Sequence, residues 1–176
     1  IFVYNDIMAN PVDTEVSFPE VDTVDLPEET PVKFDEEMLD EENESLLEEP
    51  VMLTEEQVCF VPDKSEYLDE DAALETIKPI ADYLAQNNQI TILLAGTTAG
   101  DEDSAYTMAL SHERADAVKA SLVALGVDES RIIAVGLGSS DPWHVSGAGY
   151  EGSIASSNRK VVLLDASSEQ AKDIMN

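Results

Sequence analysis

The sequence predicts an α/β fold, an α+β sandwich of order β-α-β-α-β-β in which two main helices pack on one face of a mixed sheet. An acidic extended tail precedes it. Three observations carry this expectation. Hydrophobic periodicity alternates between short β-prone runs and three- or four-residue helical spacing from Glu56 onward. Gly126 stands where a long helical pattern stops. The acidic residues divide unevenly, with 19 Asp/Glu against the single Lys33 up to Glu56 and 19 against eight Lys/Arg after it.

The elements follow in order. Gln57-Val-Cys-Phe60 is a short β-prone run. After the acids at Asp69 to Asp71, which suit a helix N-terminus, Leu74, Ile77, Ala81 and Leu84 recur at helical spacing, with Pro79 inside the pattern as a source of irregularity. Ile90 to Ala95 is an apolar strand ending at Gly96. A long helix runs from about Ser104 to Leu125, capped by Asp103 or Ser104, with Ala115, Val118, Leu122 and Leu125 as its apolar stripe and Gly126 as its stop. Strands Arg131 to Leu137 and Arg159 to Leu164 complete the sheet.

Three segments are expected: an acidic, proline-containing linker or docking segment over 1–55, a folded domain over 56–165 and a C-terminal tail over 166–176. Within the first, Pro11, Pro19, Pro27, Pro31 and Pro50 punctuate the acidic runs. Thr30 to Phe34 could form a short strand, and Glu37 to Glu48 one or two helical turns. Residues up to about 52 are expected to be dispensable for folding. Ile1 in place of Met leads us to expect a processed chain or a fragment whose anchor lies outside it.

Composition excludes several function classes. A net charge of −29 repels nucleic acid and anionic membrane surfaces alike. No run reaches the roughly 18 apolar residues of a membrane-spanning helix. Cys59 is alone, so there is no intrachain disulfide and no cysteine cage for a metal. His112 and His144 are the only histidines and lack partners for a zinc site. Ser111 and His112 point about 100° apart on a helix and cannot act as a catalytic pair. Gly147-Ala-Gly149-Tyr-Glu-Gly152 matches a dinucleotide-binding pattern, yet no β run precedes it and no apolar helix is expected after it. Trp143 reads equally as a packing anchor or a ligand-contacting ring. No enzyme, cofactor or metal is expected.

Leu110-Ser-His-Glu-Arg114-Ala115-Asp-Ala-Val118 is a specific motif, with Thr107 preceding it and Asn158-Arg159-Lys160 near the end. With Phe60, Ser65 and Leu68 at the first run, and Gly136-Leu-Gly138 before Pro142, this series resembles the OmpA-like C-terminal domain of outer-membrane protein A, the peptidoglycan-associated lipoprotein and the MotB stator protein. The resemblance spans about 110 residues. It implies noncovalent binding of peptidoglycan through the diaminopimelate of the stem peptide, tethering a larger envelope protein to the wall. It further implies an extracytoplasmic location in a bacterial envelope and an upstream membrane anchor or partner domain.

Diaminopimelate presents an ammonium and a carboxylate at one end, so its pocket needs an anion and a guanidinium. The resemblance assigns the guanidinium to Arg114. The family's anion, an Asp fifteen residues earlier, falls on Ala99 in Gly96-Thr97-Thr98-Ala99. Asp63, Asp101 or Asp103 could substitute. A different stem chemistry, amidated or lysine-type, is another possibility. So is a structural or protein-interaction module that has lost the ligand. The expected site is therefore Arg114, Thr98, Ala99, Asp101, Thr107, Asp63, Asn158 and Arg159.

Overall fold

A computed structural model describes residues 46–147 and 149–176. The strand considered at Thr30 to Phe34, most of the helical turns considered at Glu37 to Glu48, and nearly all of the acidic segment lie outside the described residues. Four strands form one sheet: β1 (Val51–Thr54), β2 (Ile92–Thr97), β3 (Ile132–Gly138) and β4 (Lys160–Asp165). Their order is β1-β4-β2-β3, with β2 and β3 parallel and β4 antiparallel to both β1 and β2. The expected mixed sheet is present.

The edge strand lies earlier than the sequence suggested. Val51–Thr54 pairs with β4 from Val51↔Leu163 to Thr54↔Lys160. Gln57 to Phe60 instead turns back on itself, with Gln57 and Val58 amides donating to the Thr54 carbonyl and Phe60 making only an isolated bridge to Tyr67. The alternation in Val51-Met-Leu-Thr54 decides the matter, since Leu53 is buried in the core and Met52 is 37% exposed. Leu47 is buried with it, so the ordered fold begins before the boundary expected at Glu56.

Two helices cover one face. α1 (Glu70–Gln86) is capped by Asp69, whose side chain accepts from the Ala72 amide at 3.1 Å. Pro79 is accommodated inside it, where the carbonyl that loses its donor belongs to the exposed Glu75. α2 (Ala105–Ala124) opens with a capping box between Ser104 and Thr107. It closes at Gly126 (φ +100°), where the Gly126 and Val127 amides donate to the Val123 and Leu122 carbonyls. Ile77, Ile80 and Leu84 of α1 and Ala115, Val118 and Leu122 of α2 meet Leu53, Ile92, Leu94, Val161 and Leu163 in the main core. Leu125, expected on the apolar stripe, is instead 37% exposed because the chain has already turned.

The other face carries a smaller cluster. Residues 166–176, expected as a tail, contain α4 (Glu169–Met175), whose Ala171 packs with Leu93, Ala95, Val162 and Leu164. Trp143 and Leu137 sit against the same cluster. A short helix, α3 (Gly152–Asn158), links the loop after β3 to β4. It begins at the last glycine of the pattern at 147–152, but its sequence, Gly-Ser-Ile-Ala-Ser-Ser-Asn, is mostly polar. The pattern still joins no preceding strand, since β3 ends at Gly138.

α2 approaches the sheet very closely. Gly96 and Gly136 are register partners on β2 and β3. A Cβ at Gly96 would overlap the Ser111 carbonyl oxygen, and one at Gly136 would lie 2.6 Å from the Met108 carbonyl oxygen and the His112 nitrogen. Helix backbone thus rests on strand backbone. Ser111 seals the contact by donating to the Met108 carbonyl at 2.8 Å and accepting from the Gly138 amide at 3.1 Å.

Two outcomes follow for stability, both measurable by urea unfolding. Gly96→Ala should destabilise the fold by about 3 kcal/mol, because the obstructing atoms are backbone and cannot rotate away. Leu53→Ala should cost about 2–4 kcal/mol if β1 belongs to the core; a cost near zero would place the edge strand outside the cooperative unit.

Candidate functional site

The N-terminal half of α2, the turn after Phe60, the loop after β2 and the start of β4 surround a cleft of about 700 Å³. Glu55, Phe60, Asp63, Thr98, Ala99, Tyr106, Thr107, Leu110, Arg114, Tyr150, Glu151 and Arg159 are among its lining residues. Arg114 forms the floor. Only 6% exposed, it donates from Nε to the Lys64 carbonyl at 3.0 Å and stacks over the Phe60 ring at 5.2 Å. Phe60 stacks in turn on Tyr67, with centroids 5.2 Å apart, and the Tyr67 hydroxyl lies 2.9 Å from Ser121 Oγ. The guanidinium plane is therefore fixed by a three-layer stack and one backbone acceptor. Among the described residues, neither Nη nitrogen of Arg114 makes a hydrogen bond.

Burial, then the neighbouring Arg159, lowers the pKa of Arg114, opposed by Glu55, Asp63 and Tyr106. The guanidinium remains charged at any physiological pH. Arg159 is already engaged: it grips Glu55 through Nε at 2.9 Å and Nη2 at 2.8 Å, and donates from Nη1 to the Tyr150 carbonyl at 3.0 Å. Glu55 also accepts from Ser156 Oγ at 2.6 Å. Burial alone would raise the Glu55 carboxyl, but the hydrogen bonds from Arg159 and Ser156 hold it below the ordinary value.

The three acids considered as substitutes for the missing carboxylate fall in different places. Asp63 lines the cleft, in a left-handed conformation (φ +58°) with its carbonyl accepting from the Tyr106 hydroxyl at 3.1 Å. Asp101 lies outside the lining, accepting from the Gly147 amide at 2.9 Å and contacting His144 Nε2 at 3.0 Å. Asp103 is consumed by the Ser139 amide and by the hydroxyls of Ser139 and Ser140.

The other expected residues also divide. Thr98, Ala99, Thr107 and Arg159 line the cleft, although Thr107 is engaged in the α2 capping box. Asn158 is fully buried elsewhere, its amide bridging both backbone groups of Val145 at 3.0 and 2.9 Å. Trp143 packs into the smaller core instead of the cleft. Sequence reasoning missed Glu55, Tyr106, Tyr150 and Glu151. Tyr106 sits eight residues before Arg114 and so shares its helical face, a signal that was available. Glu55 could not be found without knowing that β1 pairs with β4.

The OmpA family model matches residues 59–159, more than half of the sequence, and the chain belongs to that family. A segment of 66 residues is 46% identical to outer membrane porin F of Pseudomonas fluorescens, covering 38% of this chain. The match spans only 20% of that protein's length. The peptidoglycan-associated lipoprotein of Burkholderia pseudomallei is similar at 31% identity over 61% of this chain and 86% of that one, with a TM-score of 0.52. The periplasmic domain of Helicobacter pylori MotB shares the fold at 16% identity and TM-score 0.55, over 72% and 81% of the two chains.

The Glu55–Arg159 pair has a pH signature. Because the Glu55 pKa is depressed in the fold, the pair stabilises above the unfolded carboxyl's pKa, near 4. That contribution is lost as pH falls through the folded value. Glu55→Gln should therefore lower thermal stability at pH 7 while flattening the decline between roughly pH 5 and 3. Parallel pH profiles for variant and parent would show that the pair contributes nothing.

Proposed function

We propose that this chain is a non-enzymatic module that binds the stem peptide of peptidoglycan and tethers a larger envelope protein to the wall from the extracytoplasmic side. The observation that carries this reading is the buried Arg114 guanidinium, stacked on Phe60 and held by Lys64, with both Nη groups directed to no protein acceptor among the described residues. A rigid guanidinium at the floor of a cleft is a receptor for a carboxylate. Similarity to the peptidoglycan-associated lipoprotein supports a wall ligand.

Asp63 is the anion we assign to the ligand's ammonium. Unlike Asp101 and Asp103, it lines the cleft, and its side chain makes no hydrogen bond among the described residues. Its carbonyl accepts from the Tyr106 hydroxyl, and the next carbonyl in the chain, that of Lys64, accepts from Arg114. Diaminopimelate would thus bind with its carboxylate on Arg114 and its ammonium toward Asp63. Ala99 and Leu110 contribute apolar surface to the same lining.

Titration with meso-diaminopimelate and with a lysine-type muropeptide, followed by NMR, tests the reading. Each charge-assisted contact is worth roughly 1.5–3 kcal/mol. Arg114→Ala and Asp63→Asn should each weaken diaminopimelate binding by about 10-fold or more. The lysine-type ligand, which lacks the carboxylate, should bind the parent more weakly. Ala99→Asp should strengthen binding, since it adds a further carboxylate to the same cleft. Folded Arg114→Ala that binds as well as the parent would overturn the assignment. Absence of binding in parent and Ala99→Asp alike would favour a protein-interaction module on the same fold.

A further inference from the structure

A second polar cluster lies outside the cleft lining. Asp141, His144 and Lys160 have side chains only 0%, 8% and 2% exposed. Asp141 Oδ1 accepts from the Trp143 amide at 2.9 Å and lies 3.5 Å from Lys160 Nζ. His144 Nε2 is 3.0 Å from Asp101 Oδ1, and its Nδ1 faces Asp141 Oδ2 at 3.8 Å. Asp141 Oδ2, His144 Nδ1 and Lys160 Nζ have no hydrogen-bond partner among the described residues.

One imidazole here stands between two carboxylates. A neutral ring has one N–H and one lone pair, so in either tautomer it turns a lone pair toward a carboxylate oxygen. If Nε2 carries the proton, Nδ1 faces Asp141. If Nδ1 carries it, Nε2 faces Asp101. Only the imidazolium donates both ways, and a sub-ångström ring shift brings Nδ1 within hydrogen-bond range of the unpartnered Asp141 Oδ2. The charges facing the ring are Asp101 from the loop after β2, Asp141 from its own loop and Lys160 from β4, with Asp103 close enough to feel the ring's charge. Three carboxylates against one ammonium leave room for a second cation.

The ring joins the two loops that shape the cleft. Asp101 ties the loop carrying Thr98 and Ala99 to His144 and Gly147. The same second loop continues to Tyr150 and Glu151, which line the cleft, and the Tyr150 ring lies against Gly100. We propose that His144 is a proton-operated positioning residue: its doubly protonated form clasps Asp101 to Asp141 and fixes the cleft's loop wall, and its neutral form loosens that wall.

The clasp has two readouts that need no ligand. Trp143, the only tryptophan, adjoins His144, and the Gly147 amide reports directly on Asp101. In a pH titration of the full chain, Trp143 emission should change in a single step. The protection factor of the Gly147 amide, corrected for intrinsic exchange, should fall about fivefold or more toward high pH with the same midpoint. His144→Gln should abolish both changes, whereas His112→Gln, altering the exposed histidine on α2, should preserve them. A flat Gly147 protection factor in the parent, or the same pH dependence in His144→Gln, would overturn the proposal.

Discussion

The arrangement depends on one close approach, the seating of α2 on paired glycines of adjacent parallel strands. Gly96 and Gly136 are register partners, and each faces the helix backbone at a distance that leaves no volume for a methyl group. The packing fixes the helix in height and rotation more firmly than interdigitated side chains would, because backbone atoms cannot adopt another rotamer. Ser111 then hydrogen-bonds across the contact to the Gly138 amide. With that residue against the sheet, Leu110 and Arg114 must face the cleft and Ala115 and Val118 the core. The motif at 110–118 therefore seats one side of the helix on the sheet while turning Leu110 and Arg114 into the cleft.

Charge is managed by commitment. The protein carries a large acidic excess, yet Glu55 in the cleft lining and the two acids of the loop after β2 are spent on local structure. Asp103 ties its loop to the Ser139–Ser140 turn, Asp101 binds Gly147, and Glu55 is gripped by Arg159 and Ser156. Arg114 is buried with its Nη groups uncommitted among the described residues, and Asp63 lines the same cleft. On the proposed reading, selectivity for a small zwitterion would come from which charges remain free, since the total would favour any cation.

The strands and helices of the central domain were legible because their periodicity and caps are local properties. Asp69, Ser104 and Gly126 mark helix ends through backbone groups within a few residues. The edge strand was not legible in that way. Val51–Thr54 is short, follows an acidic segment, and becomes a strand through pairing with β4, more than a hundred residues later. Glu55 was missed for the same reason, as its partner Arg159 is remote in sequence. The motif pointed to Arg114, which lines the cleft, whereas Asp101, considered for its closeness to Ala99, and Asn158, considered through its motif with Arg159, fold into ties outside the lining. The buried trio of Asp141, His144 and Lys160 left no sequence signal, because its members meet only when the loop after β3 folds over the start of β4.

The most direct measurement of the central claim follows the Arg114 side chain itself. In a nitrogen-edited NMR titration of the full chain with meso-diaminopimelate, the Nε–Hε resonance of Arg114 should be visible without ligand, protected by its bond to the Lys64 carbonyl. The Nη–H resonances should sharpen and shift downfield on saturation, as a carboxylate locks the guanidinium rotation. Saturable shifts confined to other surfaces, with the Arg114 Nη signals unchanged, would contradict the account.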